Sequence, residues 1–427
     1  MTVPGTATDP QTSAVAQELS AREPTASATH TADFIELFAR ALHRFGTPAH
    51  RLEEALVAVS KRLGVQGQFF STPTALFAAF DHPDLARTRL LRVEPGEINL
   101  EKLSLLDAEL ARATSRAVDI QRAQARIAAV LDTPPRYGRT STTAAFALSS
   151  AAAAHFFGGG VAEILGAGLA GLLIGLLALL VEVWPSAGRL FELLAALIAA
   201  FATTALAGLW GGMAPFLATL AGLIVLVPGL GLTTAMTELA TRNLVSGASR
   251  LAGALLTFVT LGFGVAVGNR LGVALVGSVD IVPTAATMPV WSEPLALLVA
   301  AGAFTVLFRA HPRDCGWILA AAALALYGSR VGSETLGPEL GALTGAALVG
   351  LASNLHARWL DRPAAVTQVP GLMLLVPGSV GFRSVAALLE RDTLSGVQTA
   401  FSMTLVAVAL VTGLLVANIL VPPRRIL

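Results

Sequence analysis

The sequence predicts a mainly α membrane protein: ten transmembrane helices arranged as two inverted five-helix repeats, preceded by a small α+β cytoplasmic domain. Three observations carry this. The chain of 427 residues is 54% hydrophobic and only 13% charged, with a mean hydropathy of +0.68, where an ordinary soluble domain carries about a quarter charged residues. The charges are unevenly placed: residues 1–139 hold 16 Lys/Arg and 16 Asp/Glu, whereas residues 140–427 hold 13 Arg, no Lys and 12 acids. Finally, residues 222–271 align with 371–420 at a constant offset of 149, with 17 of 50 positions identical, where composition alone gives about five.

The first thirty residues, rich in Ala, Thr, Ser and Pro, read as a disordered tail without a signal peptide. Residues 31–132 form the cytoplasmic domain. Asp33 begins a helix whose apolar residues Phe34, Leu37, Phe38, Ala41, Leu42 and Phe45 share one face. Gly46-Thr47-Pro48 turns the chain, and Pro48 suits the first turn of a second helix. Gln68–Phe70, Thr74–Phe80 and Thr88–Val93 read as strands, with a bend at Pro73 and a turn at Glu94-Pro95-Gly96. Asn99 caps a helix from about Leu100 to Val118. Within this domain His50, Arg51, Glu53 and Thr74, with Thr72, are the candidate polar residues.

A helix needs about 20 apolar residues to cross the hydrocarbon. From residue 140 onward the uncharged runs yield ten spans, five in 133–271 and five in 294–423, joined by an extracytoplasmic linker at 272–293 and ending in a tail at 424–427. The run at 193–237 holds two crossings separated near Trp210–Pro215, and the runs at 294–308 and 315–329 are short. With the N-terminal unit inside, nine arginines fall on inside loops and four outside, so both termini are expected in the cytoplasm and the protein in the cell membrane. Five spans per copy is an odd number, so the second copy enters the bilayer upside down. Inverted repeats are a recurring construction of secondary transporters.

Pro228-Gly229 and Pro377-Gly378 interrupt apolar runs at matching positions of the two copies. Pro removes a backbone donor and Gly permits positive φ, so a helix stops or breaks there. Freed amides favour a carboxylate and freed carbonyls an ammonium group, which together suit a zwitterionic amino acid. The competing reading is a surface turn followed by an interfacial helix, with Leu232, Ala235, Met236 and Leu239 opposite Thr233, Thr237, Glu238 and Thr241. Glu238, whose counterpart is the neutral Ala387, is a candidate proton-coupling carboxylate. A solvated charge on a surface helix is the alternative. Asn269, Asn418 and Asn354 are expected to hydrogen-bond between helices, and Asn269 and Asn418 are kept as candidates at the substrate or coupling site. Glu163 and Glu182, at span ends, read as interfacial.

Net charge of +1 gives no field for nucleic acid, and one cysteine, Cys315, excludes a multi-thiolate metal site. No phosphate-binding loop, zinc-protease or serine-hydrolase motif is present. Gly166-Ala-Gly168-Leu-Ala-Gly171 lies in an apolar span and, with Gly175, spaces small residues for helix packing. Neither enzyme chemistry nor a cofactor or metal is expected. The alternatives to a transporter are a membrane-anchored hydrolase or sensor working through residues 31–130, and a passive channel; a homo-oligomer stays open.

The order GTPAHRLEEAL (46–56), STPT (71–74), RVEPG with NLEKL (92–103) and LVPGLGLTTAMTEL with SGASR (226–250) resembles the threonine/serine exporter family. The likeness runs from about residue 31 to 423. It implies a cytoplasmic domain fused to a ten-span domain that exports L-threonine and L-serine on the proton motive force. The family pattern falls on Gly46, Arg51, Glu53, Pro73-Thr74, Asn99, Lys102, Pro228, Gly229, Glu238, Gly247 and Arg250. His50 stands where the family has Tyr, and Arg242-Asn243 replaces a Gly-Asp pair, which leaves Glu238 as the better coupling carboxylate.

Overall fold

In the computed structural model, the described residues are 26–81, 88–94, 96–115, 119–277 and 288–423. The expected tail (apart from its last five residues), residues 278–287 of the linker and residues 424–427 lie outside them. Two helices, α1 (Ala26–Arg44) and α2 (Ala49–Arg62), precede an antiparallel sheet of β1 (Gln66–Ser71), β2 (Ala75–Asp81) and β3 (Thr88–Arg92), in the order β1-β2-β3. Then come α3 (Leu100–Ser115) and α4 (Ile120–Asp132). Residues 26–30, expected in the tail, already belong to α1.

The N-terminal domain closes as the period-2 and period-3.6 patterns dictate. Leu76, Ala78 and Phe80 alternate onto the inner face of β2 and meet Phe38, Leu42, Leu52 and Leu56 from the two helices. Pro73 does not bend one strand but lies in the turn between β1 and β2, which pair Phe70 with Phe77. As expected, the Asn99 side chain caps α3, accepting from the Lys102 amide at 3.0 Å.

The remainder is helical: α5 (Arg139–Phe156), α6 (Val161–Val183), α7 (Phe191–Trp210), α8 (Pro215–Gly222), α9 (Gly229–Ala240), α10 (Leu244–Val276), α11 (Ser292–Leu307), α12 (Cys315–Leu336), α13 (Pro338–Leu360), α14 (Ala365–Leu372), α15 (Gly378–Leu389) and α16 (Thr393–Leu420). Six of the described helices are long and apolar enough to cross a membrane: α6, α7, α10, α12, α13 and α16. The other four expected crossings fall on α5, on the 16-residue α11, and on the interrupted pairs α8/α9 and α14/α15.

The sequence repeat reappears in three dimensions at the same offset. Pro228 has φ −78° and ψ 40°, Pro377 φ −76° and ψ 23°. The Leu226 and Val227 amides both donate to Leu223 O, at 2.8 and 3.1 Å, and Leu375 and Val376 donate to Leu372 O at the same distances. Arg242 and Arg391 share a left-handed φ of 67° at the bends that follow. Thr204 donates to Asn269 Oδ1 at 3.0 Å between α7 and α10; Asn354 donates to Asn418 Oδ1 at 2.9 Å between α13 and α16. The expected interhelical role of these asparagines is thus what the geometry gives. The spaced glycines of α6 behave likewise: Gly171 lies against Ser150 and the Phe146 carbonyl of α5, and Gly175 against Thr143.

Glu163 departs from the interfacial reading. It is 3% exposed and accepts from the Gly160 and Ala214 amides, both at 2.8 Å, so it ties two turns together. Backbone donors leave no trace in a hydropathy pattern. Glu182 fits the reading better, with its half-exposed carboxylate paired to Arg139 at 2.9 Å.

Candidate functional site

Each Pro-Gly pair begins a helix, and a short helix ends five or six residues before it. After Gly222 the chain leaves the α-helical path until Gly229, and after Leu372 until Gly378. The first amides of α9 and α15 have no acceptor within their own helices, and the positive ends of both helix dipoles lie at the breaks. The two breaks touch. A Cβ added to Gly229 would overlap Val376 Cγ1 and stand 3.1 Å from Gly378 Cα; one added to Gly378 would lie 2.6 Å from Val227 Cγ1 and 3.2 Å from Gly229 Cα. Only glycine permits so close a backbone crossing.

A cavity of about 1170 Å³ runs from the N-terminal domain to this crossing. At one end it is lined by Glu97, Tyr137, Arg139 and Arg309, at the other by Val227-Pro228, Gly231, Val376 and Ser379, with Phe146, Phe156 and Phe304 between. Its volume exceeds what a small ligand fills. The walls are largely apolar, and the hydroxyls of Thr142, Thr143 and Ser379 are among the few side-chain polar groups. Thr143 Oγ1 is buried without a hydrogen-bond partner in the protein.

Glu238 lies elsewhere. It is on α9 but at the end away from the break, fully buried at 0% exposure. It accepts from the Ala49 amide of α2 at 3.0 Å, from Ser246 Oγ at 2.9 Å, and from Arg250 Nε at 3.1 and 3.0 Å on its two oxygens. Both readings of a solvated surface charge and of an interfacial helix fail on burial: Leu232, Thr233, Ala235 and Glu238 of α9 are all at most 3% exposed. Beside it, Glu53 accepts from the Ser71 amide at 2.8 Å and from Asn243 Nδ2 at 3.2 Å. Burial pushes the Glu53 carboxyl above its usual range, against the lowering by these two donors.

The polar cluster expected at His50, Arg51, Thr72 and Thr74 forms only in part. Arg51 pairs with Glu54 at 3.8 Å, Thr74 is exposed, and it is His43, not singled out in the sequence, whose Nε2 donates to Thr72 O at 3.1 Å. Asn269 and Asn418 sit on helix seams and do not line the cavity. Among the described residues no cluster of three or more His, Cys, Asp or Glu could hold a metal.

Desolvation, then the Arg51 charge, lowers His50 to about 4. Its folded value is below the unfolded one, near 6.5, so the unfolded chain binds the extra proton and stability falls as pH drops from about 6.5 toward 4. The melting midpoint of the purified protein is expected to fall over that interval. His50→Phe should flatten the decline, leaving the part due to His43, which burial also lowers; an unchanged profile would remove His50 from the effect.

Two family profiles match the chain: "Putative threonine/serine exporter" over residues 33–272 and "Threonine/Serine exporter, ThrE" over residues 293–420. Relatives named pheromone-regulated membrane protein 10 are 28% identical over 386 residues in Candida albicans (strain WO-1), covering 87% of this chain and 34% of theirs. The Debaryomyces hansenii protein of that name is 26% identical over 406 residues (91% and 39%), and the Saccharomyces cerevisiae (strain YJM789) protein 25% over 378 (86% and 48%). The chain therefore spans about a third to a half of the length of these relatives. No solved structure matches significantly. With both profiles in register along a multi-pass helical chain, the protein belongs to the threonine/serine exporter family.

Proposed function

We propose that the chain is a secondary exporter of small amino acids, L-threonine and L-serine, driven by the proton motive force. The observation that carries this reading is the contact of the two Pro-Gly breaks at the head of the cavity. Broken backbone at membrane depth is tolerated only where protein or a wet cavity satisfies it. Amides at the starts of α9 and α15 suit a carboxylate, and carbonyls at the ends of α8 and α14 suit an ammonium group. The Ser379 hydroxyl, at the cavity wall, supplies a partner for a hydroxylated side chain. Of the four break residues Pro228 lines the cavity; Gly229, Pro377 and Gly378 do not, and serve the substrate site through the crossing that sets the breaks, while Asn269 and Asn418 are struts that hold the repeats.

In this reading the bilayer is crossed ten times. Each interrupted pair makes one crossing, and α5 and α11, about 27 and 24 Å long at 1.5 Å per residue, reach the interfaces with their flanking arginines. The two five-helix units are inverted. The N-terminal domain contacts the ends of α9 and α11, which supports those ends lying on one side, the cytoplasm by the arginine bias. The cavity then faces inward, open to substrate in the cell.

Purified protein in liposomes should exchange labelled L-threonine for internal L-threonine or L-serine with saturation. A proton gradient should drive net flux that collapses with an uncoupler. Flux that never saturates would indicate a channel, and turnover of a small molecule by residues 31–130 without exchange would indicate the enzyme reading.

A further inference from the structure

We propose that Glu238 and Arg250 are positioning residues that fasten the N-terminal domain to the half-helix α9, making that domain a working part of the substrate site. The inference rests on the transport reading for its consequence, though not for its geometry.

The first ground is the chemistry of the joint. Helix α2 starts after Pro48, which offers no side-chain cap. The acceptor for its first amide comes from 189 residues away, as Glu238 Oε1. A carboxylate at 0% exposure survives only with its lone pairs engaged, and here the donors are Ala49 N, Ser246 Oγ and Arg250 Nε. Remove Arg250 and a buried charge loses its counter-ion; remove the N-terminal domain and it loses the α2 amide.

The second ground is the repeat, which supplies an internal control. At the offset of 149, Ser246 corresponds to Ser395, but Glu238 corresponds to Ala387, Arg250 to Thr399 and Asn243 to Asp392. Asp392 caps its own helix, accepting from the Ser395 amide at 3.2 Å. The charged pair and the Asn243–Glu53 bridge therefore occur at the end of α9, which meets the α2 amide, and have no counterpart at the matching end of α15. A carboxylate needed for the transport chemistry of a two-fold site has no reason to follow the domain; a fastening does.

The third ground is leverage. Helix α9 runs without interruption from the Glu238 joint to Gly229, which touches Gly378. The same domain is tied to the other copy at the α11–α12 joint, where the Leu100 and Glu101 amides donate to Phe308 O and Arg309 O at 3.0 and 3.2 Å; from the link that follows the domain, Tyr137 Oη donates to Ala310 O at 2.7 Å. The domain so bridges the two copies across the cavity mouth, where Glu97 and Arg309 both line the wall. Loosening its grip on α9 lets the break shift against its partner, and shifts of about 1 Å at a site are worth up to a hundredfold in rate.

The test uses the full chain in liposomes, with Glu238→Gln, Arg250→Gln and Arg250→Lys. Two quantities are read: L-threonine counterflow without any proton gradient, and the rate of tryptic cleavage within residues 133–139, the link between the domain and α5. Both Gln variants are expected to slow counterflow about tenfold or more and to accelerate cleavage, and Arg250→Lys to restore much of both. Should a Gln variant fail to fold, Ser246→Ala removes one donor and no charge, and gives smaller changes of the same sign. Wild-type behaviour of Arg250→Gln in both readouts overturns the proposal. So does a Glu238→Gln variant with normal counterflow and cleavage that loses only gradient-driven flux, the mark of a coupling carboxylate. If the unaltered protein shows no counterflow the transport reading fails, and the cleavage rates alone still decide whether the joint exists.

Discussion

Gly229→Val is expected to reduce L-threonine counterflow about a hundredfold while the protein still inserts, and Gly378→Val to do the same. At each position a Cβ is aimed at the opposing break: at Gly229 it overlaps Val376 Cγ1, at Gly378 it lies 2.6 Å from Val227 Cγ1. A β-branched side chain adds two more atoms and is stiff at χ1, so the breaks must separate. Overpacking of this kind costs about 1–3 kcal/mol of stability, enough to lower the melting midpoint but modest for a helical domain of this size. The loss of flux should be far larger than that, because separation moves the amides at the starts of α9 and α15 away from the substrate. Gly229→Ala should be intermediate, and Val376→Ala, which removes the nearest atom, should recover part of its flux. Wild-type counterflow in Gly229→Val would mean that the crossing of the breaks is not the substrate site.

Much of this was legible in the sequence because it is written in residue types with strong backbone consequences. Pro228-Gly229 and Pro377-Gly378 do not sit within continuous helices, and their recurrence at one offset marked where the following helices begin, while the preceding helices stop earlier, at Gly222 and Leu372. That Asn269, Asn354 and Asn418 hydrogen-bond between helices followed from polar side chains in apolar helices, which must find partners; that Asn269 takes Thr204 and Asn354 takes Asn418 is what the structure adds. The first N-terminal helix followed from the periodicity of Phe34 to Phe45 and the strand β2 from the run Thr74–Phe80, whereas α4 was not read from the sequence.

What the sequence hid was hidden for a physical reason. The partner of Glu238 is a main-chain amide 189 residues away, and every non-proline residue has one. The same holds for Glu163, whose two donors are the amides of Gly160 and Ala214. A carboxylate satisfied by backbone reads, in a string of letters, like one facing water. His43 was overlooked because its acceptor is the Thr72 carbonyl, equally anonymous. The asymmetry between Glu238 and Ala387 was visible, but only the placement of α2 shows which environment differs between the copies.

The seam between the third and fifth helices of each copy offers a sharper use of the repeat. In α10, a Cβ added to Gly268 would overlap the Leu197 carbonyl oxygen of α7 and stand 3.0 Å from Ala200 Cβ. In the other copy the small and large partners are exchanged: the residue matching Gly268 is Ala417, and it faces Gly350, where an added Cβ would stand 2.6 Å from Ala417 Cβ. Without a hydrophobic drive between helices in lipid, such close approach is what holds a pair together. Gly268→Ala is therefore expected to cost about 1–3 kcal/mol, read as a lower melting midpoint in detergent, and Gly268→Leu to prevent accumulation of folded protein. Gly268→Ala combined with Ala200→Gly exchanges the two residues as in the α13–α16 seam and should regain the part of the loss due to Ala200 Cβ, leaving the part due to the Leu197 carbonyl, although Ala200→Gly alone adds a helix-interior glycine worth about 1 kcal/mol. The two changes touch one another, so their effects should be far from additive. Additive losses, with the double variant the least stable of the three, would mean that the two seams are not equivalent and that the exchange of Gly and Ala between them is coincidence.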